Sequence, residues 1–338
     1  MMKIERRECT IRYRAVFAMN PHNLVERIFD HEMSTELEEL VDIDASHVIT
    51  DLRPSSLAVL REAELVIAGW GAPMISVDDA PELRAVVYAG GVASTCLNDA
   101  AQWAARGLRA SNARGENAVP VAEYALAMIL LAGKDAFGAA ERFRRERIVP
   151  GRENDPPNVG NLGRTIGLVG FSQVAQELIR LLRPFRFDVV VYSPELTDDV
   201  ARRWGVRRGE LDEVFDVSDV VSLHQPLIAA TRGQVDAALL ARMPDGATLI
   251  NTARGGVVDG ASLQAELVSG RIRAVLDVTD PEPLPADDPL WDLPNVVLTP
   301  HLAGSMGSEL HRLGEACVAE VRRFVAGEPF AHEEDLTR

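Results

Sequence analysis

Cysteine is scarce in this chain: three in 338 residues, Cys9, Cys96 and Cys317, far apart and odd in number. Their spacing fits neither a disulfide framework nor a zinc site, so a reducing, cytoplasmic setting is expected and no metal. Positive charge is also short. With 35 Lys and Arg against 51 Asp and Glu, the formal net charge is −16, and the basic face that nucleic acid or an anionic membrane requires is missing. The arginine clusters at 142–147 and 202–208 sit among acids and read as solvated helix faces. Long apolar runs are absent too. The longest, 119–132, contains Glu123 and is too short to span a bilayer. The opening MMKIERRECTIRYR has no apolar core of a signal peptide. No internal repeat or low-complexity tract is visible.

What is present is ordinary soluble material, 47% hydrophobic and 25% charged, with chain enough for two domains. Up to residue 116, short apolar runs at 13–19, 47–49, 65–68, 85–88 and 108–110 alternate with helical periodicity at 24–29, 57–63 and 97–106. That alternation predicts a small doubly wound domain. The 119–132 stretch is apolar on nearly all sides, the mark of a helix buried between layers or at a subunit contact. Residues 149–164, rich in Pro, Gly and Asn, read as a surface loop. Six apolar strands follow, at 166–169, 189–192, 220–223, 248–250, 275–276 and 296–298. Crossovers of βαβ length between them predict a parallel sheet wrapped by helices. An amphipathic helix at 308–324 lies beyond the last strand.

The chain is organised around the turn after the first of these six strands, Gly170-Phe171-Ser172-Gln173-Val174-Ala175. A glycine turn into a helix exposes backbone N–H groups that suit a pyrophosphate. The G-x-G-x-x-G/A fingerprint is matched at its first glycine and its last small residue, with Ser172 in the middle. By itself the pattern is equally a plain strand-to-helix turn. Ser193, 23 residues beyond Gly170, stands where an acid would bind the adenosine ribose. Further strand ends, where open α/β sheets bind ligands, carry Leu223-His224-Gln225-Pro226, the run Asn251 to Gly256, and Thr299-Pro300-His301, with Asp277 and Glu282 between the last two. Arg254, flanked by Ala253 and Gly255, has room to grip a carboxylate in two-point fashion; the plainer reading is a surface charge. His301 with Glu282 as partner could move a proton at a carbinol or carbonyl, or be a satisfied loop histidine. His22, His31, His47, His311 and His332 lack such settings. Gly90-Gly91-Val92 offers backbone N–H groups at a strand end, or is only a turn. Trp70, Tyr88 and Met306 shape a pocket or, taken singly, pack in a core.

Five blocks bring these positions together. NTARGGVVD (251–259), LDVTDPEPLP (276–285), NVVLTPHLAGS (295–305), VAEYALAMILLA (121–132) and ATRG (230–233) resemble the signature segments of the D-isomer-specific 2-hydroxyacid dehydrogenases, a likeness spanning essentially the whole chain. The resemblance implies an α/β fold of two doubly wound domains. A six-to-seven-stranded parallel Rossmann-type cofactor domain (117–304) would be inserted into a smaller flavodoxin-like substrate domain (1–116 and 305–338). It implies that Arg254 binds and polarises a 2-oxo acid, that His301 is the general acid/base paired with Glu282, and that Gly90, Gly91 and Val92 hold the substrate carboxylate. The implied cofactor contacts are Gly170, Phe171, Ser172, Gln173, Val174, Ser193, Pro194, His224, Pro226, Thr231, Thr252, Ala253, Arg254, Asp277, His301 and Gly304, with Asp277 at the nicotinamide carboxamide. Domain closure would exclude water. A homodimer through the cofactor domain is implied as well.

The chain also departs from its relatives. Ser193 in place of the ribose-binding acid removes the usual repulsion of a 2′-phosphate, yet no arginine follows and Glu195 stands two residues on. NAD(H) is favoured narrowly and NADP(H) stays open. Thr279 replaces a frequent aromatic, which enlarges the site. Two other readings keep the fold: phosphite oxidation, and an NAD-sensing, co-repressor-like binding protein. Formate oxidation fits poorly, because formate enzymes carry an amide where Glu282 stands.

Overall fold

Strands covered on both faces need no polar alternation, and four short runs obey this rule throughout. LVIA (Leu65–Ala68), AVVY (Ala85–Tyr88), VVSL (Val220–Leu223) and TLIN (Thr248–Asn251) are buried at every residue. The structure, a computed structural model, describes residues 12–149, 151 and 159–337. Cys9 and half of the 149–164 loop, residues 150 and 152–158, lie outside the described residues. The chain divides into two units, Met1–Asn117 with Ser305–Arg338, and Ala118–Gly304. The first break falls one residue later than the sequence boundary at 116. Asn117 Oδ1 accepts the Ser305 N–H at 2.9 Å, which ties the two ends of the first unit together.

In the first unit, β1 (Ala15–Ala18), β2 (Val48–Ile49), β3 (Leu65–Ala68), β4 (Ala85–Tyr88) and β5 (Arg109–Asn112) form a parallel sheet ordered β2-β1-β3-β4-β5. This is the flavodoxin-like 2-1-3-4-5 order. Helix Leu310–Val325 buries Leu310, Leu313, Cys317, Val321 and Phe324 in this unit's core. Helix His31–Leu40 was not expected from sequence. It buries only Met33 and Leu37, too thin a stripe to stand out, and is started by Asp30, whose carboxylate accepts the Met33 N–H.

In the second unit, β6 (Thr165–Val169), β7 (Asp188–Tyr192), β8 (Arg207–Arg208), β9 (Val220–Leu223), β10 (Thr248–Asn251), β11 (Arg273–Leu276) and β12 (Val296–Leu298) form a seven-stranded parallel sheet. Its order is β12-β11-β10-β9-β6-β7-β8. Counted from β6 this is the Rossmann order 3-2-1-4-5-6 with one further strand, and it reverses between β6 and β9. Arg207 and Arg208, expected on a solvated helix face, form the exposed edge strand β8 instead. Helix Arg114–Gly133 is also less buried than its composition suggested. Ala118, Val121, Ala122, Ala125 and Ile129 face inward, while Glu123, Ala127 and Leu131 are exposed.

Candidate active site

The turn after β6 closes onto the end of β9. Gly170 has a φ of +100°, and a Cβ there would lie 2.8 Å from the Gln225 nitrogen and 2.9 Å from the His224 carbonyl carbon. Both the conformation and the approach demand glycine. Ser172, at the fingerprint's middle position, caps helix Gln173–Leu182: its Oγ accepts the Ala175 N–H at 3.4 Å. The hydroxyl keeps its own hydrogen to donate. Phe171 packs edge-on against Trp204 with ring centroids 5.5 Å apart.

Across the switch point, His224 and Gln225 are buried. His224 Nε2, Gln225 Oε1 and Thr252 Oγ1 are buried polar atoms with no hydrogen-bond partner among the described residues. Buried polar atoms are nearly always paired, so three orphans around one crevice fit a polar ligand such as a dinucleotide. Burial pushes the His224 imidazole down to about 4, so it is neutral at pH 7. Thr231, implied as a cofactor contact, uses its hydroxyl inside its own loop: Oγ1 donates to the Pro226 carbonyl at 2.5 Å and accepts the Ile228 N–H at 2.9 Å. At the end of β7, Ser193 is buried, whereas Pro194 and Glu195 are exposed. The nearby edge-strand Arg208 is engaged by Asp198 and Glu210.

Asn251, the last residue of β10, shapes the next loop. Its Oδ1 accepts the Ala253 N–H at 3.0 Å, and its Nδ2 donates to the Arg254 carbonyl at 2.9 Å. A Cβ on Gly255 would fall 2.1 Å from the Thr279 carbonyl carbon, so only glycine lets this loop pass so close to the segment after β11. The exposed Arg254 guanidinium donates to the Ala253 carbonyl at 2.6 Å and pairs with no carboxylate among the described residues.

His301 Nδ1 lies 2.7 Å from Glu282 Oε1. An ionised carboxylate only accepts, so Nδ1 carries the proton and Nε2 is the nitrogen left for chemistry. Both side chains are about half exposed. His301 has a φ of +52°, a region that side chains seldom adopt. Asp277, at the end of β11 and buried, accounts for that turn. Its backbone carbonyl accepts the His301 N–H at 3.0 Å. Its Oδ1 accepts from Thr299 Oγ1 at 2.6 Å and the Leu302 N–H at 2.8 Å, and its Oδ2 accepts the Ala303 N–H at 2.9 Å. Because Thr299 donates to Asp277, the Tyr124 hydroxyl donates to Thr299, at 2.8 Å. Sequence reasoning missed Tyr124; its only signal was a lone phenol in an otherwise apolar stretch. Burial holds that phenol above its usual range.

In the first unit, the loop after β4 is fixed by its carbonyls. The Ala113 N–H donates to Gly90 and Arg114 Nε donates to Gly91, both at 2.9 Å. The N–H groups of Gly91 and Val92 donate to no group among the described residues and are partly accessible. Tyr88 is buried and Trp70 packs on the core. Met306 departs from the core-packing expectation, being 54% exposed just ahead of the last helix.

A parallel sheet whose order reverses beside a glycine turn, with unpartnered buried polar atoms just past the ends of β9 and β10, has the architecture of a dinucleotide-binding α/β protein. The family model for the D-isomer specific 2-hydroxyacid dehydrogenase, NAD binding domain, matches residues 126–303. The chain belongs to the D-isomer specific 2-hydroxyacid dehydrogenase family. It is 30% identical over 320 residues to the glyoxylate reductase of Korarchaeum cryptofilum, covering 92% of this chain and 94% of that one. It is 34% identical over 250 residues to the D-3-phosphoglycerate dehydrogenase of Mycobacterium tuberculosis, covering 74% of this chain but 46% of that protein. The chain thus spans about half the length of the D-3-phosphoglycerate dehydrogenases it matches. Among solved structures, the TT0316 protein from Thermus thermophilus superposes with a TM-score of 0.75 at 26% identity, covering 95% of this chain and all of that one.

Proposed function

We propose that this protein reduces a 2-oxo acid to a D-2-hydroxy acid, or runs the reverse reaction, with a nicotinamide dinucleotide. The observation that carries the reading is the 2.7 Å pairing of His301 with Glu282 at a strand-end edge that also bears the unpaired Arg254. Arg254 grips the substrate and draws electron density toward its carbonyl oxygen. His301 Nε2 gives the proton to that oxygen in reduction and takes it back in oxidation. Glu282 holds the ring by Nδ1 and offsets the charge of the imidazolium. The Gly91 and Val92 N–H groups hold the substrate carboxylate.

The cofactor is held by the turn at Gly170, Phe171, Ser172, Gln173 and Val174, by Ser193 and Pro194, and by His224, Pro226, Thr231, Thr252, Ala253, Asp277 and Gly304. When bound, it supplies or accepts the hydride. NAD(H) is the preferred form: Glu195 stands exposed beside the ribose position, and Arg208 is already committed to carboxylates. A reducing compartment, the cytoplasm, suits the two described cysteines, which are free and buried. The protein works as a homodimer joined through the cofactor domain, in keeping with the apolar side chains that helix Arg114–Gly133 and the following helix Ala136–Glu146 leave exposed, Leu131, Phe137 and Phe143.

The test is a screen of 2-oxo acids against NADH and NADPH, followed at 340 nm. Consumption of NADH, faster than of NADPH, with at least one oxo acid is expected. No absorbance change with any pair would remove the reading.

A further inference from the structure

The last residues of the chain return to the loop that follows β4. After helix Leu310–Val325, the buried Glu320 accepts the Ala331 N–H at 3.1 Å and the His332 N–H at 2.9 Å, which fixes the direction of the tail. The tail then runs antiparallel along β5. The Asn112 N–H donates to His332 at 3.2 Å, the Glu334 N–H donates to Ala110 at 2.8 Å, and Ser111 bridges Glu333. This places the Glu334 carboxylate on the chain just beyond the glycine pair. Oε2 accepts the Ala93 N–H at 2.8 Å and Asn112 Nδ2 at 2.6 Å, and Oε1 accepts the Ser94 N–H at 2.9 Å. Asn112 Oδ1 in turn accepts the Arg114 N–H, and Arg114 Nε holds the Gly91 carbonyl.

Four successive N–H groups, 91 to 94, therefore fall into two pairs. Those of Ala93 and Ser94 are occupied by an internal carboxylate, and those of Gly91 and Val92 are open. We propose that Glu334 is a positioning residue for the substrate: by occupying Ala93 and Ser94 and anchoring the loop to β5, it leaves one register, Gly91 and Val92, in which a substrate carboxylate binds. The inference rests on the reading of this loop given under Proposed function. A carboxylate is the chemical kind of group the loop is proposed to bind, so without Glu334 the incoming acid meets a longer row of donors and settles in more than one place. A carbonyl displaced by about 1 Å from the reacting groups loses on the order of 100-fold in rate.

The test compares wild type, Glu334→Ala and Glu334→Gln with the best oxo acid from the screen, with and without millimolar formate. The NADH dissociation constant is measured alongside by fluorescence. Loss of a charge-assisted carboxylate at the loop is expected to raise KM by about 10-fold or more and to lower kcat, with NADH affinity unchanged. Formate should restore most of the lost kcat/KM in Glu334→Ala, where space is left for it, and little in Glu334→Gln. A KM within twofold of wild type in Glu334→Ala, or no recovery with formate, overturns the proposal. Wild-type protein that turns over no oxo acid instead removes the functional reading on which it rests.

Discussion

His301 holds a φ of +52°, and such a conformation in a residue with a Cβ costs about 1–3 kcal/mol and persists only where its surroundings over-determine it. Here the surroundings are one carboxylate. Asp277 accepts from Thr299, Leu302 and Ala303, on both sides of His301 in the chain. Asp277→Asn places an amide against these donors, so the second unit should lose about 1–3 kcal/mol in denaturant titrations, and kcat should fall while Glu282 remains intact. Tyr124→Phe removes one donor from Thr299 and should cost about 1 kcal/mol with a smaller change in kcat. His301 and Glu282, which the structure places 2.7 Å apart, were legible in sequence as a candidate pair because each sits in a short recognisable block. The Tyr124, Thr299 and Asp277 chain was not, since it joins residues from three elements that only folding brings together.

His224 gives the stability of the fold a pH dependence. Its imidazole lies near 4 in the fold against an ordinary 6.5, because burial disfavours the charged ring. Between these values the unfolded chain takes up a proton that the folded chain refuses, so stability is full above about pH 6.5 and declines as pH falls toward 4. Denaturant titrations of the cofactor-free protein at about pH 7 and about pH 5 should show wild type losing roughly 2 kcal/mol more than His224→Gln. Equal losses would show that the buried ring does not control acid stability.

Among the elements, the turn from β6 into helix Gln173–Leu182 is the proposed seat of the cofactor, and its geometry admits only glycine at 170. Gly170→Ala forces a Cβ to within 3 Å of the backbone of His224 and Gln225 at a positive φ. We expect a loss of about 1–3 kcal/mol in stability and at least a tenfold loss of NADH affinity, read by fluorescence titration. Ser172→Ala removes the helix cap, at about 1 kcal/mol, together with the hydroxyl proposed to donate to the cofactor, so a smaller loss of NADH affinity than in Gly170→Ala is expected as well. The central strands were readable because each is a short apolar run buried at every residue. β8 escaped because two exposed arginines at a sheet edge carry no apolar signal, and helix His31–Leu40 because it buries two side chains. The Glu334 tether was invisible for another reason: it links positions more than two hundred residues apart through backbone N–H groups.

For the molecule as a whole, the two parallel sheets followed from the β/α rhythm and the return of residues 305–338 to the first unit from the family resemblance, while the proposed partner surface is argued from what stays uncovered. Leu131, Phe137, Phe143, Ile148, Val149 and Leu162 are exposed apolar side chains drawn from one stretch of the second unit. Single exposed apolar residues need no explanation, but a concentration of them points to a covered face. Sedimentation at micromolar concentration should give twice the chain mass, and Phe143→Glu should return it to the monomer. A wild-type monomer would remove the dimer.

The most direct measurement of the central claim is the pre-steady-state rate of NADH oxidation by saturating 2-oxo acid in wild type and His301→Asn, with NADH affinity measured on the same samples. His301→Asn should bind NADH as wild type does and react at least about 100-fold more slowly, as expected when the proton carrier is removed. An unchanged rate would contradict the assignment of His301, and with it the chemistry placed at these strand ends.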